Sequence, residues 1–144
     1  MNRTRIHRRR DAVLLLAASA CVFLVGCSGG DKSSLTGTVT LDGEPLANCT
    51  LNFTSLEQGP GGVAQTDDSG KYKAAMSLNN DWMAPGEYLV EARSRADVLA
   101  SENLSHEVKP GDASLPERYH GPESELRMTL EPGSNTVDFE LSSD

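Results

Sequence analysis

The sequence predicts an all-β fold: an antiparallel sandwich of about seven short strands behind an N-terminal signal peptide. Three observations carry this. Apolar and polar residues alternate with a period of two through most of the chain beyond residue 34. Clusters of Gly, Pro, Asp and Asn punctuate these runs at short intervals. No segment beyond the first 26 residues shows a convincing 3.6-residue period.

The first predicted strand has Leu35, Gly37, Val39 and Leu41 on one face and Thr36, Thr38 and Thr40 on the other. Asp42-Gly43 is a hairpin signal. Cys49, Leu51 and Phe53 alternate with Thr50, Asn52 and Thr54, and the Gly-rich loop 58–62 follows. Val63 to Thr66 is a short strand, and Asp67-Asp68-Ser69-Gly70 a turn. Lys71 to Met76 is the next strand, with Tyr72 and Ala74 on one side. Pro85-Gly86 introduces Glu87 to Ser94, in which Tyr88, Val90 and Ala92 share a face. Leu126, Met128 and Leu130 form another strand, Pro132 to Asn135 a turn, and Val137, Phe139 and Leu141 the last strand. Arg95 to Glu125 breaks the pattern. A loop of that length is expected to be functional or disordered, with a helical turn around Ala96 to Leu104.

The N-terminus has a different character. Arg3, Arg5, Arg8, Arg9 and Arg10 precede an apolar run from Ala12 to Val25. That run is too short for a comfortable membrane span, which takes ~20 apolar residues, and it reads as a secretory signal. Leu24-Val25-Gly26-Cys27 resembles the lipobox of bacterial lipoproteins: an aliphatic residue, a tolerant position, a small residue, then the cysteine whose thiol takes the lipid. Ala18-Ser19-Ala20-Cys21 is a competing register with Ala at the aliphatic position. The domain expectation is therefore a signal peptide at 1–26, a flexible tether at 27–34, and one β-sandwich at 35–144 with a long loop at 95–125. Ser28 after Cys27, in place of the Asp that often retains lipoproteins at the inner membrane, points by resemblance to the outer membrane.

Composition limits function. The 144 residues are 38% hydrophobic and 5% aromatic, with 13 basic and 21 acidic side chains and a net charge of −8. Residues 1–26 hold five of the basic and one of the acidic residues, so the chain from Cys27 onward keeps eight against twenty, a net of −12. Nucleic acid is not an expected partner, because phosphate binding needs clustered Lys and Arg. With Cys27 committed to lipid, Cys49 has no disulfide partner in the mature chain, and its strand-like setting reads as a small buried residue.

Gly37-Thr38-Val39-Thr40, Gly43-Glu44-Pro45-Leu46-Ala47, Thr66-Asp67-Asp68-Ser69-Gly70-Lys71-Tyr72 and Pro85-Gly86-Glu87-Tyr88 resemble the carboxypeptidase regulatory-like domain, a transthyretin-like (prealbumin-type) β-sandwich. Leu115-Pro116-Glu117-Arg118-Tyr119, Leu126 to Leu130, Gly133-Ser134-Asn135 and Val137 to Leu141 resemble small bacterial lipoproteins built from this one domain. The resemblance covers residues 35–94 and 114–141. It implies a cell-envelope protein of uncharacterised role, and its motifs are structural, not catalytic.

A search for chemistry finds little. His106 and His120 lack the spacing of a zinc site. Ser124 in Pro122-Glu123-Ser124-Glu125 is expected on a surface loop, and no nucleophile elbow is present. Asp67, Asp68 and Ser69 read as an Asx turn, since the rest of a calcium loop is missing. Asp97, Glu102 and Glu107 read as solvated acidic surface. No cofactor and no metal are expected. Trp82, the lone tryptophan, either stacks on a sugar or caps the core with Met83. Arg118 and Tyr119, with His120, either form a contact surface or dock the long loop onto the sandwich.

The reading that results is a lipid-anchored, non-catalytic protein facing outside the cytoplasm. It would meet the membrane through Cys27 and an envelope protein through the loops at 77–86 and 95–125. The alternative is a carbohydrate-binding module using Trp82. A small enzyme has no supporting constellation.

Overall fold

The structure is a computed structural model, and it describes residues 32–57, 59–102 and 114–144. In chain order its strands are β1 (Ser33–Leu41), β2 (Glu44–Pro45), β3 (Thr50–Ser55), β4 (Gly62–Gln65), β5 (Lys71–Lys73), β6 (Gly86–Arg93), β7 (Leu126–Leu130), β8 (Gly133–Thr136) and β9 (Phe139–Leu141). One helix, α1 (Arg95–Ser101), and two 3-10 turns, Glu117–Tyr119 and Gly121–Glu123, lie between β6 and β7. The two strands beyond the expected seven are β2, only two residues long, and β8, which occupies the expected turn at 132–135.

Two sheets form. The first is built around β1, with β5 and β2 antiparallel to it and β8 and β9 parallel to it. Thr36 pairs with Lys73 on one flank and Thr136 on the other. The second sheet has the order β4-β3-β6-β7 and is antiparallel throughout. The all-antiparallel expectation is thus corrected at β8 and β9. From β7 in the second sheet the chain crosses at Glu131-Pro132 to the first, and it then runs beside β1 in the same direction.

The alternation read in the sequence determines what is buried. Leu35 and Val39 point inward from the first sheet, joined by Tyr72, Phe139 and Leu141. Leu51, Phe53, Tyr88, Val90, Ala92, Met128 and Leu130 point inward from the second. Phe53 and Tyr72 lie 6.2 Å apart across the sheets, and Tyr72 and Phe139 lie 6.1 Å apart. With so few aromatics, this row of three rings fills the middle of the core.

Turns follow the local chemistry. Asp42 (φ 51°) and Gly43 (φ 85°) both take positive φ between β1 and β2, as a two-residue hairpin of the favoured type requires. Gly37 answers a different need. A Cβ there would lie 1.7 Å from the Val137 carbonyl oxygen. That carbonyl turns inward at the break between β8 and β9 and accepts the Tyr72 hydroxyl at 2.7 Å. At the same break Asp138 Oδ1 takes the Thr38 N–H at 2.7 Å, replacing a ladder carbonyl.

The strand directions give the molecule two distinct ends. Lys32, the β3–β4 loop, the β5–β6 loop and the β7–β8 turn share one, which we call the proximal end. Ser33 bridges to Met83 there, and Val63 to Ala75, which joins the two sheets. The β1–β2 and β4–β5 turns, α1, the 3-10 turns and the C-terminus share the other, the distal end.

Candidate functional site

The distal end holds the densest group of polar side chains among those singled out above. β7 pairs with β6 only as far as Val90, opposite Leu126. Beyond that point the 3-10 turns and α1 pack against β6 instead. Ser94 ends β6 and caps α1. Its N–H donates to Asp97 Oδ2 at 2.8 Å, and its hydroxyl accepts the Asp97 N–H at 3.2 Å, a capping box.

The Asp97 carboxylate also ties the returning chain. It accepts the Ser114 hydroxyl, and it accepts the Leu115 N–H at 3.2 Å through Oδ2. His120 Nε2 sits 3.4 Å from Oδ2, buried and without a hydrogen-bond partner. Burial works to raise the Asp97 pKa. The bonds from Ser114, Ser94 and Leu115 outweigh it, and the carboxyl lies below its ordinary value of 3.8.

Arg118 and Tyr119 fasten the C-terminus. The Arg118 guanidinium lies 4.7 Å from the Tyr119 ring centroid. It donates to the Ser142 carbonyl at 2.5 Å and pairs with Glu125 at 3.2 Å. Tyr119 is 5% exposed, within the core, and its hydroxyl accepts the Ser142 N–H at 3.0 Å. Of the two roles read in the sequence for Tyr119, the structure has it docking the loop; its ring is not a contact surface. Arg93, Glu117, Arg118, His120, Gly121 and Glu123 line an open groove of about 520 Å³ beside this cap. Glu117 and Glu123 are exposed.

Ser124 corrects an expectation. It is buried, its hydroxyl donates to the Val90 carbonyl at 2.6 Å, and it accepts the Leu126 N–H at 3.3 Å. It satisfies β6 where pairing with β7 begins. Asp67 Oδ1 accepts Ser69 N–H at 2.8 Å, Ser69 hydroxyl at 2.7 Å and Lys71 N–H at 3.0 Å, the bonding of an Asx turn. Cys49 is fully buried, and loss of solvation pushes its thiol up to about 12. No group of three metal-ligating side chains occurs among the described residues.

Trp82 lies at the opposite, proximal end. It is half-buried, and the Lys32 ammonium sits 5.2 Å from the centroid of its ring. Met83 beside it is buried in the core. Trp82 and the pair Arg118–Tyr119 therefore do not converge on one site. Leu24, Val25, Gly26, Cys27, His106 and Glu107 lie outside the described residues.

Ser94-x-x-Asp97 is the capping pattern of a helix start, so the sequence signals the start of α1 and the bond from the Ser94 N–H to Asp97. Ser124 carried no such signal, because its partner is a carbonyl 34 residues away.

No protein-family model matches the chain. No curated protein matches it either. A solved structure of a DUF3823 family protein from Parabacteroides merdae ATCC 43184 is similar, with a TM-score of 0.43 and 16% identity. The match covers 79% of this chain and 47% of that one. The chain thus spans about half the length of that structural neighbour.

Proposed function

We propose that the protein is a lipid-anchored, non-catalytic component of the cell envelope, a transthyretin-like sandwich of the carboxypeptidase regulatory-like kind. It is held at a membrane through Cys27 and presents its distal end to a protein partner. One observation carries the display role. The chain enters the fold at Lys32 on the proximal end, and the cap formed by residues 94–102 and 114–125 stands at the opposite end. A tether at Cys27 would thus leave the cap as the surface farthest from the anchor. The non-catalytic part is supported by how the cap uses its side chains: Ser94, Asp97, Ser114 and Arg118 are engaged in holding chain segments together. The exposed carboxylates of Glu117 and Glu123 suit a partner with a basic surface.

A glycan-binding reading is favoured by the half-buried Trp82. It is weakened by Lys32, which already occupies a position over the ring.

The test is capture from envelope extract on an immobilised soluble form beginning at Gly30, with proteins and polysaccharides both analysed. The display reading expects a specific protein, retained with Trp82→Ala and lost when Glu117 and Glu123 are changed to Lys. A polysaccharide retained and then lost with Trp82→Ala would establish the glycan module instead. Retention of neither removes the support for a binding role.

A further inference from the structure

We propose that the proximal end is a lipid-contacting face, on which Leu78 and Trp82 rest in the interfacial zone of a zwitterionic bilayer. The proposal rests on anchoring at Cys27 and adds to it a docked orientation of the domain.

The surface pattern comes first. Leu56, Val63 and Leu78 are the exposed large hydrophobic residues among those described, at 52%, 45% and 104% exposure. A single exposed Leu is ordinary. Two of the three lie at the proximal end: Leu56 in the β3–β4 loop and Leu78 in the β5–β6 loop, while Val63 lies beside Asn52 partway along β3. Leu78 stands at the tip of a tight turn closed by the Ser77 and Asn80 backbones, with its side chain entirely in solvent. Trp82 follows four residues later on the same loop.

The occupant follows from where the chain enters. Lys32, which sits over Trp82, is the fifth residue after Cys27. At roughly 3.3–3.6 Å per residue, the lipid-bearing Cys27 can stand at most about 18 Å from Lys32. A bilayer is therefore the one surface always within reach of this loop. Trp favours the membrane interface, where its ring is shielded and its N–H stays wet. A lysine beside it keeps its ammonium at headgroup level while its stem lies along the apolar surface.

Charge selects the kind of bilayer. Lys73 is paired with Asp81 at 2.7 Å. Glu57, Glu87 and Glu131 are exposed at the same end, leaving Lys32 outnumbered. An anionic surface would be repelled, and a zwitterionic one would not.

The lone tryptophan makes the test direct, since all indole emission comes from Trp82. The full lipidated chain is incorporated into phosphatidylcholine vesicles, with and without lipid brominated high on the acyl chain, and floated. The expected result is a shift of emission to shorter wavelength, quenching by the brominated lipid and protection from aqueous iodide. Leu78→Ser changes a fully exposed side chain, so the fold stays intact; it should float equally well and lose most of the quenching. Protein that floats while Trp82 stays open to iodide and blind to bromine overturns the proposal and leaves the anchor standing. Protein that does not float overturns the anchor and the docked orientation with it. Protection of Trp82 by soluble envelope polysaccharide, without vesicles, would assign the loop to a glycan and overturn the lipid face.

Discussion

Replacing Thr66 by Val tests the internal wiring of the fold. Thr66 is 3% exposed, just beyond β4. Its hydroxyl donates to the Leu46 carbonyl at 2.6 Å and accepts the Cys49 N–H at 2.8 Å. It thereby clamps the 46–49 segment, which follows β2 and leads into β3. Valine matches its shape and removes both bonds. Two buried backbone groups then lack a partner, each at a cost of about 1–3 kcal/mol, so the sum is about 2–6 kcal/mol. For a domain of this size that is a fall in Tm of roughly 8–24 °C. Thr66→Ser keeps the hydroxyl and deletes one methyl, at about 1 kcal/mol. Urea and thermal unfolding of the soluble form beginning at Gly30 measure both variants. A Thr66→Val protein within about 0.5 kcal/mol of the parent, or no more affected than Thr66→Ser, would refute the reasoning.

Other outcomes follow from the same structure. Gly37→Ala places a Cβ against the Val137 carbonyl and the Tyr72 ring; it should cost about 3 kcal/mol in urea unfolding, and a neutral result would contradict the inward turn of that carbonyl. The Asp97 carboxyl lies below its ordinary 3.8, so its contribution is present above the unfolded value and is lost as pH falls below about 4 through the folded one. Asp97→Asn should therefore be less stable at neutral pH, with an acid-unfolding curve less steep below about pH 4; parallel curves would show that the carboxylate does not hold the cap. Cys49, buried and with its thiol pushed up to about 12, should react with a thiol reagent only at the rate of unfolding; fast labelling of the native chain would contradict its burial.

The core was legible in the sequence because burial in a strand follows local alternation. Leu51, Phe53, Tyr88, Val90, Ala92, Phe139 and Leu141 all face inward as their spacing predicts. The Asp42-Gly43 turn was legible for a similar reason, since positive φ restricts the residues that serve there. The parallel strand β8 was not. Gly133-Ser134-Asn135 has turn composition, and its strand state depends on pairing with Ser33 to Leu35, about a hundred residues away. Asn135 braces the crossover by accepting the Glu131 N–H at 2.9 Å and donating to the Glu131 carbonyl at 2.8 Å, a role identical in sequence to an ordinary turn asparagine. At the distal cap, Asp97 has the local sequence of solvated acidic surface, yet its side chain is only 8% exposed. Its partners Ser114 and Leu115 come from across the long loop, and no local pattern brings them together.

The central claim is that Cys27 carries the protein to a membrane. Its most direct test is intact-mass analysis of the full chain recovered from envelope membranes, alongside Cys27→Ser. The account predicts a chain beginning at Cys27 with a mass increment of two or three acyl groups on a glyceryl thioether, and a Cys27→Ser protein without that increment and out of the membrane fraction. An unmodified Cys27 in a membrane-bound chain, or a Cys27→Ser variant that stays with the membranes, would contradict it.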